Sequence, residues 1–261
     1  MTNYPSDLST KEYEVLKPLL PELKPHPRRK WDWHLVLNAI FYVLRGGCAW
    51  RLMPADHMPW QTAYHYFRVW SLDGTWERIN GSLRVQVRVA SRKHPEPTAG
   101  IVDSQSAKTG RQGGQCGFDG HKRVKGRKRF ILTDTLGLVL KAKVLKADTH
   151  EGAGGIQLLQ EAFLDFPTLL KLWVDQGFRG SFIDWVAANL PLEVEVSQGL
   201  GKPGEPGFVP APRRWVIERT FAWLTGFRRL TRDFERFART TEAIIYACMT
   251  RIMLARLAKF V

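Results

Sequence analysis

The chain has 261 residues, 44% of them hydrophobic, and carries 39 Lys and Arg against 25 Asp and Glu, a formal charge of +14. That length and apolar content suffice for a full core, arranged as one large domain with a smaller attachment, and the cationic excess favours nucleic acid ahead of an anionic membrane as partner. No apolar run approaches the roughly 18 to 20 residues of a spanning helix, and Met-Thr-Asn-Tyr-Pro-Ser-Asp lacks the basic and apolar regions of a signal peptide, so a cytoplasmic protein is expected.

Ser9 to Leu20 reads as a first helix, with Ser9 or Thr10 as N-cap, Glu12 early and Tyr13, Leu16 and Leu20 on one stripe, shortened by Pro18 and Pro21. A basic linker, Pro25 to Lys30, precedes a second helix from about Asp32 to Leu44, which Gly46-Gly47 ends. Trp60 to Trp70 forms an aromatic helix that resembles the second helix of a helix-turn-helix unit. Its polar positions Gln61, Thr62, His65 and Arg68 are candidates for base contact, while Tyr64, Phe67 and Trp70 suit the core of a small helical bundle. A further helix, Thr75 to about Arg92, carries Arg78, Arg84, Arg88 and Arg92, and Lys93 to Pro97 is a linker.

Gly100 to Ser106, Gly-Ile-Val-Asp-Ser-Gln-Ser, is a short apolar run ending in a carboxylate, Asp103, and reads as a buried strand. Ser104 to Arg129 is Gly-rich and strongly basic, with Lys122, Arg123, Lys125, Arg127, Lys128 and Arg129 close together. A charge run is commonly a solvated face, but beside an acid cluster six cations point to phosphate contact. Arg129 to Thr135 and Leu138 to Leu145 make a hairpin around Leu136-Gly137. Asp148 and Glu151 read as the capping box of the next helix, with His150 at the surface. A second apolar run, Leu169 to Val174, again ends in an acid, Asp175. Ser181 and Asp184 cap a helix that buries Phe182, Trp185, Val186 and Leu190; Leu192, Val194 and Val196 form a last strand; Gln198 to Pro212 is a loop with Pro212 near the start of a helix carrying Glu218. A final helix, about Thr240 to Phe260, has Ile244, Cys248, Ile252 and Ala255 on one stripe. Cys48, Cys116 and Cys248 are odd in number and contain no CxxC pair, so they read as packing or surface residues rather than a disulfide framework or zinc site.

Two strand-end aspartates and a helix glutamate could meet only in a folded domain. Gathered without metal the three would repel, and at least one would take up a proton. Two Mg²⁺ ions, with Mn²⁺ able to substitute, need such oxygen ligands, because the ions keep several waters and a substrate phosphate supplies the rest. Each acid also has an ordinary role: Asp103 as a strand-end cap through Ser104, Asp175 as a turn residue before Gly177, and Glu218 in an i,i+4 pair with Arg214. The order of elements is that of an α/β, ribonuclease-H-like mixed sheet flanked by helices. It divides into an N-terminal, all-helical, helix-turn-helix-like DNA-binding region over 1–95, a catalytic domain over 96–235, and a C-terminal helix over 236–261 on that domain or at a dimer contact.

The segments Gly46-Gly-Cys-Ala-Trp-Arg51, Asp73-Gly-Thr-Trp-Glu-Arg78, Gly100-Ile-Val-Asp-Ser-Gln-Ser-Ala-Lys-Thr109, Gly117 to Arg129, Asp134-Thr-Leu-Gly-Leu138, Val174-Asp-Gln-Gly-Phe178 and Arg213-Arg-Trp-Val-Ile-Glu-Arg-Thr-Phe-Ala-Trp-Leu224 span nearly the whole chain. In them it resembles the bacterial insertion-sequence transposases of the DDE class, in the group named for insertion sequence five within the wider insertion-sequence-four-like enzymes. The resemblance implies that Asp103, Asp175 and Glu218 form the metal-binding catalytic triad, that Arg214 is the Arg placed before the catalytic Glu, and that the helical region helps bind terminal inverted repeats. It implies cleavage at those repeats and joining of the 3′-hydroxyl ends to target double-stranded DNA; because two ends must be brought together, a homodimer, at least on DNA, is expected. Phosphate contacts are expected from Lys122 to Arg129 and from the arginines at 213, 214, 219, 228, 229, 232, 236 and 239. The chain departs from the family signature at Ala211, where a Tyr is usual, and Thr225, where a Lys is usual; Gln176 and Phe178 replace the commoner Gly and Tyr. A stand-alone metal-dependent nuclease and a non-catalytic, transposase-derived DNA-binding protein are the alternatives.

Overall fold

A computed structural model describes residues 4–22, 30–111, 114–197 and 214–260. The loop expected over Gln198 to Pro212, the residues Ala211, Pro212 and Arg213, and the basic linker up to Arg29 lie outside the described residues. The elements run α1 (Thr10–Leu16), α2 (Trp33–Gly46), α3 (Trp60–Leu72), α4 (Thr75–Ala90), β1 (Ala99–Lys108), β2 (Gly117–Asp119), β3 (Val124–Asp134), β4 (Val139–Lys146), α5 (Glu151–Asp165), β5 (Lys171–Val174), α6 (Ser181–Asn189), β6 (Glu193–Val196), α7 (Arg214–Thr225) and α8 (Ala238–Leu257). Among the described residues no helix is long and apolar enough to cross a membrane.

The elements divide into two compact units, one of residues 1–93, 224–232 and 239–261, the other of 94–223 and 233–238. In the first, Ser9 caps α1 in a complete capping box with Glu12, and the helix tightens to a 3-10 turn over Lys17–Leu19, with Pro18 in its first turn. Asp32 caps α2 by accepting the Leu35 N–H, and Gly47 ends it in the left-handed conformation. Rings interlock through this unit: Trp33 with Trp70 at 4.9 Å, Trp70 with Trp76 at 5.1 Å and Trp50 with Phe67 at 5.2 Å between centroids. Phe67 and Trp70 are buried as expected, whereas Tyr64 is on the exposed side of α3.

The boundary expected at 236 is corrected by α8. That helix groups with the N-terminal helices, Tyr246 donating its hydroxyl to Glu77 and Arg251 pairing with Glu12. Its residues are buried almost continuously from Thr241 to Thr250, as for a central helix rather than one with a single apolar stripe, and Ala255 is exposed.

The second unit is a mixed sheet. β1 lies between β3, antiparallel to it, and β5, parallel to it; β6 continues the parallel edge, and β3 carries β4 and the short β2 on its other side. Alternation along the strands separates two faces. Val102, Phe130, Leu132, Leu172 and Val174 point to one, forming a core with Leu158, Leu159 and Ala162 of α5 and Phe182 and Val186 of α6. The β3–β4 turn forms where Leu136-Gly137 predicts it. Gly137 has φ +79°, and a Cβ there would meet the Thr220 hydroxyl of α7 at 2.7 Å. The Asp134 carboxylate accepts the N–H groups of Leu136 and Leu138, each at 2.9 Å, and Thr220 donates to the Gly137 carbonyl, so α7 docks on this turn.

Two cap expectations are corrected. The residue capping α5 is His150, whose Nδ1 accepts the Gly152 N–H, and not Asp148; α6 begins at Gly180 with no side-chain cap from Ser181 or Asp184. β1 also runs through Gln105 and Ser106 to Lys108, so Asp103 stands in the middle of a strand and not at its end. Ladder pairing to β3, residue by residue, carries that strand past its apolar segment.

Candidate active site

Parallel pairing aligns Gly100 with Leu172 and Ile101 with Trp173. Continued by two residues, that register leads to Asp103 on β1 and to Asp175 just past the end of β5, neighbouring strands lying about 4.8 Å apart. Because Val102 and Val174 point into the core, Asp103 and Asp175 share the opposite face. β5 stops at Val174, and Asp175 starts a 3-10 turn over Gln176–Phe178, its carboxylate accepting the Gly177 N–H at 2.9 Å. The turn role and the placement beside Asp103 therefore coexist.

The electrostatics report the same closeness. Burial and, after it, the Asp175 charge push the Asp103 carboxyl from an ordinary 3.8 up to about 6, against the Ser104 N–H, at 2.7 Å, and the cations Arg214 and Lys122, which pull it down. A divalent cation held by both carboxylates would relieve their repulsion. The donor chemistry thus fits a hard cation with oxygen ligands.

Glu218 behaves differently. Its carboxylate lies 3.2 Å from Arg214 Nε, four residues earlier on α7, and both side chains are substantially exposed. Arg214 is within electrostatic reach of Asp103 as well, so one guanidinium links the helix acid to Asp103. Among the described residues no three His, Cys, Asp or Glu side chains are grouped to hold a metal ion. Two of the three predicted acids are brought together, and the third stands one cation away.

Around the site α7 presents Trp215, 53% exposed, with Arg219 sandwiched between Trp215 and Trp223, 4.5 Å from each ring centroid. Arg219 also donates to the Leu136 carbonyl at 3.1 Å. Among the cations assigned to phosphate, Lys122, Arg123 and Lys125 are exposed, but Arg127, Lys128 and Arg129 are not, with 2%, 4% and 2% of their surface accessible. That expectation is corrected. Arg127 pairs with Asp233 at 3.2 Å and donates to the carbonyls of Gln115, Glu235 and Arg236. Lys128 pairs with Glu151 at 2.9 Å and faces Asp119 at 3.7 Å. Arg229, in the first unit, is likewise buried and donates to the Cys48 carbonyl, whereas Arg228 is exposed.

On α3, Gln61, His65 and Arg68 are exposed and Thr62 is half-buried. Residues 47–59 separate α2 from α3, a connection far longer than the turn of about 3–4 residues in a helix-turn-helix. The sequence reading missed Asp119 and Asp233, the buried acids that neutralise these cations. For Asp119 a signal was available in the turn dipeptide Asp119-Gly120, which sits where β2 turns toward β3.

Three family models match the chain. Residues 8–80 match a model for transposases of the IS4/5 family, and residues 94–193 and 172–255 match two models each described as a transposase DDE domain. No curated protein and no solved structure matches significantly. The DDE domain models imply a ribonuclease-H-like fold, in keeping with the mixed sheet. A transposase model on the helical N-terminal region and two DDE models across the sheet, running nearly end to end, place this chain in the family of IS4/5-like DDE transposases.

Proposed function

We propose that this transposase cleaves DNA at the terminal inverted repeats of its insertion sequence and joins the freed 3′-hydroxyl ends to target DNA, both at the face bearing Asp103 and Asp175. The reading is supported by one observation: the parallel register of β1 and β5 leads to Asp103 and to the first residue past β5, Asp175, and burial together with the Asp175 charge raises the Asp103 carboxyl. Asp103 and Asp175 would hold Mg²⁺ or Mn²⁺, with Glu218 as the third ligand once its carboxylate leaves Arg214. Such ions polarise the phosphate and favour the ionised form of the attacking water or hydroxyl.

The chain's own contribution is position and charge. Pairing of β1 to β3 holds Asp103, and the 3-10 turn that follows β5 holds Asp175, so that little reorganisation would be needed when a phosphate arrives. Arg214, released by Glu218, would turn to the phosphate beside Asp103. Exposed Arg123, Lys125 and Arg228 would contact the duplex backbone, while Gln61, Thr62, His65 and Arg68 of the N-terminal region would meet the terminal repeat. A homodimer on DNA would bring two ends together.

Incubating a precut end with a target plasmid and Mg²⁺ tests the reading against a nuclease, which lacks the joining step. Joined product is expected from the wild type. Asp175→Ala and Glu218→Ala should form none, with end binding in a gel shift kept within a few-fold. Strand transfer retained by either variant removes that residue from the site, and cutting without joining by the wild type selects the nuclease.

A further inference from the structure

Beyond its two aspartates and Arg214, the candidate active site carries a cation from another part of the chain. Lys122 lies in the turn between β2 and β3, and its side chain reaches back to β1, where Nζ is 3.4 Å from the carbonyl oxygen of Ser104, the residue after Asp103. Its field acts on Asp103, Asp119 and Glu151. Glu151 in turn closes on the Asp175 turn, since a Cβ on Gly177 would meet the Glu151 side chain at 3.1 Å. The ammonium therefore stands at the same end of the sheet as the two strand acids.

The backbone around Lys122 is anchored. Asp119 is 6% exposed; its carboxylate accepts the Lys122 N–H at 3.0 Å and the Ser106 hydroxyl of β1, and it faces the buried Lys128. Arg123 follows in a left-handed conformation, φ 51°, which a side chain other than Gly adopts only when its surroundings hold it. Lys128 is the close partner of Asp119 and Glu151, so those acids do not depend on Lys122 for neutralisation. What remains is an exposed ammonium on a fixed turn, whose side-chain hydrogen bond among the described residues is a long one to a carbonyl, within electrostatic reach of Asp103. Thr225, where the family signature has Lys, cannot supply such a charge.

We propose that Lys122 binds a non-bridging oxygen of the phosphate undergoing transfer at Asp103 and Asp175, supplying the cation that the helix signature lacks here. This rests on the function proposed above. A preplaced donor of this kind carries about 10² to 10³ in rate when removed, and a backbone contact remote from the reacting phosphate changes affinity instead.

The test is single-turnover cleavage of an inverted-repeat duplex at saturating protein with Mg²⁺, beside gel-shift affinity for the same duplex. Lys122→Ala should lower the saturated rate about 100-fold or more with affinity changed less than about fivefold, and Lys122→Arg should recover at least a tenth of the wild-type rate. A Lys122→Ala chain that cleaves at the wild-type rate once saturated overturns the proposal, since Lys122 is then a backbone contact only. So does a Lys122→Arg chain as slow as Lys122→Ala, because that marks a role in shaping the turn. A wild-type chain that leaves the end uncut with Mg²⁺ and Mn²⁺ overturns the parent function, and this inference with it.

Discussion

Asp103→Asn is expected to abolish DNA cleavage and joining and, in metal-free buffer above pH 6, to raise the stability of the folded chain. The sign follows from the direction of the shift. Folding raises the Asp103 carboxyl from 3.8 to about 6, so the fold binds this proton more tightly than the unfolded chain does. The resulting cost is absent below about pH 4, grows between pH 4 and 6 and is complete above. A displacement of about two units corresponds to roughly 3 kcal/mol, and the partial exposure of Asp103 brings the expected gain down to about 1–3 kcal/mol. Urea unfolding at pH 8 and pH 4 reads it directly: the variant should lead at pH 8 and lose its lead at pH 4. Saturating Mg²⁺ should stabilise the wild type and not the variant, because a ligand stabilises only the state that binds it. An Asn variant less stable than wild type at pH 8 without metal would contradict the strained pairing of Asp103 with Asp175.

The second large effect concerns Arg127, whose guanidinium is buried against Asp233 and three backbone carbonyls. Removing one member of a buried ion pair leaves the other charge without compensation, which costs about 3–5 kcal/mol. Arg127→Ala is accordingly expected to lose that much in urea unfolding. The double variant Arg127→Met with Asp233→Leu should recover only part of it, because the carbonyls of Gln115, Glu235 and Arg236 still lose their donor. A single variant within about 1 kcal/mol of wild type would show that the guanidinium is not holding the 233–236 segment to β3.

The same residue shows where the sequence stops being readable. Lys125, Arg127, Lys128 and Arg129 are chemically alike in a one-dimensional reading, and a basic run beside an acid suggests phosphate. Only the strand places Lys125 at the surface and turns the other three inward, and only the fold brings up the acids that allow it, Asp233 being 106 residues away from Arg127. Sequence periodicity worked where one face is solvated. β4 alternates as expected, Lys141 and Lys143 reaching Asp165 and Glu161 on α5, and Gly137 marks its turn. It failed for the polar half of β1, whose order comes from pairing to β3, and for α8, whose burial on most sides leaves no stripe to read.

For the site itself, an apolar run followed by an acid, occurring twice, marks Asp103 and Asp175 as candidates, because buried strands read as continuous apolar runs. The i,i+4 spacing that could make Glu218 a mere partner of Arg214 is the arrangement in the structure. A change of partner for Arg214, from Glu218 to a phosphate, joins the ion pair to the proposed function. Lys122 falls within the basic run that suggests phosphate contact, but its closeness to Asp103 depends on a turn held by Asp119, which only the fold brings to it.

Mn²⁺ binding, followed by electron paramagnetic resonance with the wild type, Asp103→Asn and Asp175→Asn, separates the metal site from every later step. If the two strand carboxylates hold one cation between them, the wild type binds Mn²⁺ and each variant binds it at least tenfold more weakly. Equal Mn²⁺ binding by all three chains would contradict the account.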